Sequence, residues 1–193
     1  MKIKQGKIIL DKELNNLDKL VIDFISILKN YSEYVIVSGY VSILFGRSRI
    51  SEDIDLLIQK MNFQKFSQLY NGLKEKFWCI NVDNKNELFD MLEKGHSIRF
   101  ARKDKVIPNM EIRFIKNIID NEAIKERIKV EIGKNTLFIS PIELQIVYKE
   151  GVLGSPKDNE DALHLREVFK DSIKKEKIKY YEQFIKKYAR QNK

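Results

Sequence analysis

The sequence is poor in the residues that build disulfides and zinc sites. It contains one cysteine, Cys79, and two histidines, His96 and His164, among 193 residues. A single cysteine cannot close an internal disulfide, and this predicts a reduced, cytoplasmic setting. Three such side chains spread along the sequence also argue against a structural zinc site, which normally uses four ligands.

Long apolar runs and known glycine motifs are also missing. No run approaches the roughly 18 apolar residues of a membrane-spanning helix, and no apolar signal core follows Met1, so no membrane association is predicted. Residues 151–155 lack the Gly-Lys-Ser/Thr ending of a P-loop, and there is no dinucleotide-type glycine run. Ser38 precedes Gly39, but the surrounding motif is wrong for a hydrolase nucleophile.

Charge is abundant, with an excess of positive charge. Lys and Arg number 36 against 28 Asp and Glu, which gives a formal net charge of +8, while 43% of the residues are hydrophobic, enough for a sizeable core. The positive balance favours a polyanionic partner such as nucleic acid. A general bias toward lysine and isoleucine would give the same balance, so both interpretations stay open.

The stretch from residue 35 to residue 58 carries the main motif. An apolar, β-branched run predicts a strand that turns sharply at Ser38-Gly39 into a short helix over residues 41–45. A basic loop then leads to Asp53-Ile54-Asp55 on a second predicted strand. Because successive strand residues face opposite sides, Asp53 and Asp55 are predicted to point the same way.

Two carboxylates at one point favour a bound cation. Like charges in a partly dry cleft raise each other's pKa, and a divalent ion removes that cost. Mg²⁺ is typically held by one or two protein carboxylates, with water and substrate phosphates completing its coordination. Backbone N–H groups at the Ser38-Gly39 turn would offer an anion site at the start of the following helix. Metal and phosphate are therefore predicted to meet there.

A small pair on a strand-to-helix turn, followed by Asp-x-Asp on the next strand, resembles the polymerase-beta-type nucleotidyltransferase superfamily. With Arg47 and Ser51 before Asp53-Ile54-Asp55, the stretch is similar to small prokaryotic members related to abortive-infection and toxin–antitoxin nucleotidyltransferases. Those relatives usually have glycine where this chain has Ser38. The resemblance implies an α+β fold, a nucleotidyltransferase-like mixed β-sheet flanked by helices. We predict a catalytic domain over residues 1–139, with a C-terminal helical region over 140–193 packed on it.

Glu111 is the candidate third acid. In the predicted strand around it, Met110 and Ile112 face one side, and Glu111 and Arg113 face the other. The resemblance implies a third acid on such a later strand, beside Asp53-Ile54-Asp55. The alternative is an exposed strand acid paired with Arg113 or Arg99.

A second motif lies near the C-terminal end. Ser140-Pro141 predicts a helix start that leads to Lys149, and residues 157–163 open another helix with Asp158 and Asp161. The resemblance implies that Lys149 reaches triphosphate oxygens, while Asp158 and Asp161 orient that lysine or the metal-binding segment. The alternative is that both acids simply favour the first turn of a helix, where the dipole stabilises them.

The resemblance implies transfer of a nucleoside monophosphate from an NTP to an acceptor hydroxyl on RNA, such as tRNA, or on a protein. Asp53, Asp55 and Glu111 would be the catalytic residues and would bind Mg²⁺ or Mn²⁺. Nucleotide binding would fall to Ser38, Gly39, Arg47, Arg49, Lys149, Asp158 and Asp161. A cognate partner protein in a toxin–antitoxin pair is also implied. The alternative function is a module of the same fold that binds a nucleotide or partner without turnover.

The remaining elements are predicted from periodicity and turn signals. Asp11 is the predicted cap of the first helix, residues 151–156 are a predicted loop, and the helix that follows is expected to reach about residue 170. Further helices are predicted over residues 14–30, 63–73, 88–92, 118–125 and 170–193. Further strands are predicted over residues 77–82, 97–101 and 110–115, with a hairpin turn over residues 133–135.

Overall fold

The computed structural model describes residues 1–4 and 6–191. In these residues the strands are β1 (Lys2–Lys4), β2 (Lys7–Leu10), β3 (Tyr34–Ile36), β4 (Asp53–Ile58), β5 (Phe77–Cys79), β6 (Ile98–Arg102), β7 (Asn109–Phe114), β8 (Ile128–Ile132) and β9 (Asn135–Ile139). The helices are α1 (Asn16–Leu28), α2 (Gly39–Leu44), α3 (Phe63–Leu73), α4 (Lys85–Glu93), α5 (Ile118–Lys125), α6 (Ile142–Tyr148), α7 (Pro156–Val168) and α8 (Lys175–Gln191). A π-helical turn, Lys149–Leu153, continues α6.

All the strands form one mixed sheet in the order β1-β2-β8-β9-β3-β4-β7-β6-β5. The pairs β2/β8, β3/β9 and β4/β7 are parallel, and the remaining neighbours are antiparallel. Strand β4 therefore lies well inside the sheet, with β3 on one side and β7 on the other. This position fixes Asp53 and Asp55 on a strand whose backbone is paired along both edges.

Helices cover the sheet on two faces and give two buried clusters. On one face, α1 packs on β5 and β6, where the ring of Phe24 contacts Phe77 and Phe100 with centroids 5.2 and 5.9 Å apart. On the other face, Val35 and Leu57 pack with residues of α5, α6 and α8, including Tyr181. Burying apolar surface on both faces is the main favourable contribution to a fold of this type.

Asparagine and serine side chains start several of the helices. The side chains of Asn15, Asn62, Asn84, Asn117 and Ser155 each accept a hydrogen bond from an N–H of the first turn that follows. These bonds satisfy donors that have no partner inside the helix, and each cap contributes about 1 kcal/mol. At Asn15 the bond is reciprocal, because its own N–H donates to Asp18.

The predicted α+β architecture is confirmed, a mixed sheet flanked by helices with helices at the C-terminal end. Some local predictions were wrong. Asn15 rather than Asp11 caps α1, and Pro141 rather than Ser140 occupies the cap position of α6. In the predicted loop over residues 151–156, residues 151–153 belong to the π-helical turn and residue 156 begins α7, which ends at Val168. The predicted strand over residues 77–82 ends at Cys79. No helix in the described residues is both long and apolar enough to cross a membrane.

Candidate active site

Three acids lie in adjacent positions on one face of the sheet. Asp53 and Asp55 alternate with buried Ile54 along β4, and Glu111 of β7 is the direct register partner of Asp55. Neighbouring strands are about 4.8 Å apart, and register partners point to the same side. The structure thus brings together the three acids that the sequence singled out. We call these residues, Asp53, Asp55 and Glu111, the acid row.

The electrostatics of the acid row favour a cation. Burial raises the pKa of the Asp55 carboxyl to about 6, and the charges of Asp53 and Glu111 act in the same direction. A hydrogen bond from Ser38 and the charge of Arg113 lower that pKa only in part. A partly buried carboxylate beside two others is costly to ionise, and a divalent ion would reverse that cost.

Glu111 already has a cationic partner. The Arg99 Nε donates to Glu111 Oε2 at 2.7 Å, which is one of the pairings left open by the sequence. Within the described part of the chain, no group of three or more His, Cys, Asp and Glu side chains is arranged to hold a metal ion. Asp53 and Asp55 still fit Mg²⁺, since two carboxylates suffice when substrate phosphates and water supply the other ligands. Metal binding by Glu111 stays a prediction, and it requires this carboxylate to leave Arg99.

The turn before α2 has an unusual backbone at Ser38. Its φ of 62° and ψ of −137° lie in a region that favours glycine. Its N–H donates to the side-chain Oε1 of Gln145 at 3.1 Å, so this donor is already used by a residue of α6. Strain of this kind costs about 1–3 kcal/mol and is typically stored at functional sites.

The second residue of the turn, Gly39, lies against Arg49. A Cβ at position 39 would be 1.7 Å from Arg49 Nη2, so any other residue there would force the end of the Arg49 side chain to shift. Arg49 comes from the loop that leads into β4, and its side chain is 17% exposed. The structure therefore brings a predicted phosphate-binding cation directly onto the predicted phosphate-binding turn.

A cavity of about 180 Å³ opens beside the acid row. Its polar wall includes Ser38, Asp55, Glu111, Arg113, Asp120, Ser140 and Gln145, and its apolar wall includes Leu57, Ile119, Ala123, Leu144, Tyr148 and Leu153. The Ser140 hydroxyl is buried and has no hydrogen-bond partner among the described residues. Apolar walls with a few converging polar groups are typical of small-molecule sites.

Lys149, Asp158 and Asp161 form a separate buried cluster outside the residues that line the cavity. Lys149 Nζ lies 3.1 Å from Asp158 Oδ1 and 2.8 Å from Asp161 Oδ2, and the lysine side chain is 1% exposed. Burial acts to raise the pKa of Asp158, but hydrogen bonds from Ser155 and Lys149 outweigh it and lower the pKa.

The buried cluster is connected to the Ser38-Gly39 turn through two arginines. Asp161 Oδ1 lies 3.1 Å from Arg47 Nε and 3.5 Å from Arg49 Nε. Arg47 also donates to Glu160 of α7 at 2.6 Å. All seven predicted nucleotide-binding residues are therefore connected, although only Ser38 among them lines the cavity.

Sequence reasoning missed Gln145 and Tyr148, which contribute the α6 wall of the cavity. A signal was available, because both residues precede Lys149 on the helix that starts at Pro141 and was already singled out. Their distance from the acid row along the sequence hid the relationship. Only the packing of α6 on the sheet brings them to Ser38 and Asp55.

No known protein family matches this chain, and no curated protein matches it either. Among solved structures, the chain is similar to an antigenic nucleotidyltransferase-like protein from Paracoccidioides brasiliensis, with a TM-score of 0.52 and 12% identity over 86% of this chain and 85% of that one. The fold is nucleotidyltransferase-like. JHP933 from Helicobacter pylori also aligns, over 94% of this chain and 100% of that chain, but at a TM-score of 0.37 and 12% identity. Similarity at this level of identity shows the fold alone.

Proposed function

We propose that the chain is a metal-dependent nucleotidyltransferase that moves a nucleoside monophosphate from an NTP to an acceptor hydroxyl on RNA, such as tRNA, or on a protein. The bond between the acceptor oxygen and the α-phosphorus forms as the α–β phosphoanhydride bond breaks, pyrophosphate leaves, and the hydroxyl proton is released to solvent. The observation that carries the proposal is the acid row at the edge of the cavity, with Glu111 directly opposite Asp55. The raised pKa of Asp55 supports it, since that carboxylate gains most from a bound cation.

In this proposal the acid row organises the reacting groups. Asp53 and Asp55 would hold Mg²⁺ or Mn²⁺, which when bound would supply positive charge for the transferring phosphoryl group and favour ionisation of the attacking hydroxyl. Glu111, once released from Arg99, faces the acceptor side of Asp55. The Ser38 hydroxyl, hydrogen-bonded to Asp55, keeps that carboxylate oriented.

Nucleotide binding is divided between the turn and the cavity. Arg49, which lies against Gly39, places its positive charge near the triphosphate, and Arg47 adds a second positive charge nearby. Tyr148 and the apolar wall accept the base, as aromatic and apolar side chains do in most small-molecule sites. In this arrangement Lys149, Asp158 and Asp161 act by holding the two arginines in place.

The biological setting that we propose follows from the sequence resemblance. Small prokaryotic nucleotidyltransferases with a similar motif belong to toxin–antitoxin and abortive-infection systems. We therefore propose a cytoplasmic role as one component of a toxin–antitoxin pair, together with a cognate partner protein.

A second candidate is a module that binds a nucleotide or partner without turnover. Two contacts favour it, because each uses a group that catalysis would need. Arg99 donates a hydrogen bond to the Glu111 carboxylate. Gln145 accepts a hydrogen bond from the N–H of Ser38, a donor that a phosphate would otherwise use. A protein that binds but does not react would keep both contacts.

Transfer of label separates the two candidates. The wild type, Asp53→Asn and Asp55→Asn are incubated with labelled NTPs, Mg²⁺ or Mn²⁺, and RNA or protein acceptors. We expect each substitution to reduce transfer by at least about 100-fold without lowering the melting temperature. Glu52→Gln is the matched control, since this neighbouring acid is exposed. Saturable NTP binding with no transfer by the wild type would establish the module instead.

A further inference from the structure

The face of the sheet that bears Asp53 and Asp55 continues across β7 and β6 to β5, the edge strand. Register partners share a face, so the alignment of β4, β7, β6 and β5 places Trp78 and Arg99 on the same face as Asp53 and Asp55. Across the strands, one set of register partners is Asp53, Asn109, Ala101 and Trp78, and the neighbouring set is Asp55, Glu111 and Arg99. Three strand spacings separate Asp53 from Trp78, a distance of about 14 Å.

This end of the face is open to solvent. Trp78 is 40% exposed, and the side chain of Arg99 is 50% exposed. The opposite face of the same strands is covered, because Phe77 and Phe100 pack against Phe24 of α1. The exposed surface comprises Trp78, Arg99 and the loop over residues 103–107, and we call it the open face.

The indole of Trp78 is fixed in position. Its Nε1 donates to the backbone oxygen of Lys105 at 2.7 Å, which attaches the ring to the loop between β6 and β7. Its cross-strand partner Ala101 is fully buried although it stands on the open face, which fits an indole lying across it. A fixed aromatic ring with an exposed side suits stacking by an unpaired base, which is how many proteins bind single strands.

The charge of the open face is positive. Lys103 and Lys105 are exposed, and the loop carries one acid, Asp104. The bond from Arg99 to Glu111 uses Nε, and in the described residues its Nη1 and Nη2 groups have no hydrogen-bond partner. A guanidinium with free donors is well shaped to bind phosphate. The net charge of +8 for the whole chain acts in the same direction.

We propose that the open face binds the single-stranded end of a nucleic acid and leads it toward the acid row. That this strand is the acceptor rests on the proposed function, whereas the binding itself does not. Cations beside a stacking ring favour nucleic acid over protein as the occupant. A duplex fits less well, because its base faces are hidden inside the stack.

Trp78 is the only tryptophan in the chain, so its fluorescence reports directly on the open face. A short single-stranded RNA of mixed sequence and a blunt duplex of the same sequence are titrated without NTP and with EDTA. We expect saturable quenching by the single strand, with an affinity at least about 10-fold higher than that of the duplex. Anisotropy of labelled RNA should show about 10-fold weaker binding by Trp78→Ala, with Trp78→Phe keeping most of the affinity.

The loop lysines supply a second, electrostatic test. Lys103→Ala/Lys105→Ala should weaken binding and reduce the slope of log affinity against log salt by about one to two. The matched control is Lys2→Ala/Lys4→Ala on β1, which removes the same charge from exposed residues at the opposite edge of the sheet. The control should bind like the wild type.

Several outcomes would overturn the proposal. These are the absence of quenching, equal binding of single strand and duplex, equal effects of the two lysine pairs, or an indole that responds to a protein acceptor and to no oligonucleotide. The Asp53→Asn variant separates this proposal from the proposed function. It should lose transfer and keep RNA binding. Intact transfer by this variant would refute the proposed function alone, and loss of its RNA binding would refute only the open face.

Discussion

The guanidinium of Arg49 occupies the space that any side chain at residue 39 would need, with Nη2 1.7 Å from the position of a Cβ built on Gly39. A side chain at residue 39 would therefore push the end of the Arg49 side chain away from the turn. Ser38, not Gly39, has the positive φ of the pair. The turn is therefore built from one residue that tolerates strain and one that makes room for a cation.

Gly39→Ala should displace Arg49. We expect at most about 1 kcal/mol of destabilisation, because the group that must move is the end of a flexible side chain, and weaker NTP binding because the cation leaves the turn. Urea unfolding and NTP titration would measure the two effects. Gly151→Ala is the control, since apart from its chain neighbours and the backbone of its own helical turn no atom lies within 4 Å of its Cβ position. If Gly39→Ala cost as much stability in an Arg49→Ala background as in the wild type, the contact with Arg49 would not be the cause.

Ser38 combines backbone strain with a useful hydroxyl, and two substitutions separate these effects. Ser38→Ala removes the hydroxyl and keeps the strained φ of 62°, whereas Ser38→Gly removes both. The glycine variant should be more stable than the alanine variant by about 1 kcal/mol, even though glycine gains more entropy on unfolding. Denaturant unfolding of both variants checks this. Equal stabilities would mean that the turn relaxes around alanine.

Lys149 is held as a buried ion-pair partner of Asp158 and Asp161. Lys149→Met should cost about 3–5 kcal/mol, because it removes the buried cation that Asp158 and Asp161 share, although Asp161 keeps its contacts with Arg47 and Arg49. Lys170→Met is the control, because its pair with Glu167 is exposed and should change stability by less than about 1 kcal/mol. Melting temperatures of both variants give the comparison. A Lys149→Met protein that melts like the wild type but loses NTP affinity would instead place the lysine on the triphosphate.

The acid row was predictable from local sequence only in part. The period of two along a strand was enough to place Asp53 and Asp55 on one face. That Glu111 stands opposite Asp55 depends on parallel pairing of strands more than fifty residues apart, and alternation cannot supply such a register. The resemblance to nucleotidyltransferases supplied the expectation that periodicity could not.

Contacts between separately predicted elements were the hardest to foresee. The pairing of Gln145 with Ser38 and that of Arg49 with Gly39 both depend on how loops and helices dock. The cap of α1 was misplaced for a local reason, since several polar residues precede the helix and only the reciprocal bond with Asp18 selects Asn15. Side-chain competition of this kind is decided by geometry and not by residue type.

The raised pKa of Asp55 predicts how pH affects the metal-free protein. Its folded pKa of about 6 exceeds the ordinary value of 3.8, so the folded state binds this proton more tightly than the unfolded state does. The stabilisation of the folded state by this bound proton is therefore complete below about pH 4 and is lost as the pH rises through 6. In EDTA, the free energy of unfolding of Asp55→Asn minus that of the wild type should increase from pH 4 to pH 7 by up to about 3 kcal/mol. Groups remote from Asp55 titrate alike in both proteins and cancel in the difference, whereas Asp53 and Glu111 belong to the same coupled titration. Glu52→Gln should show no such trend. A difference that stays constant with pH would mean that Asp55 is already ionised in the folded protein at pH 4.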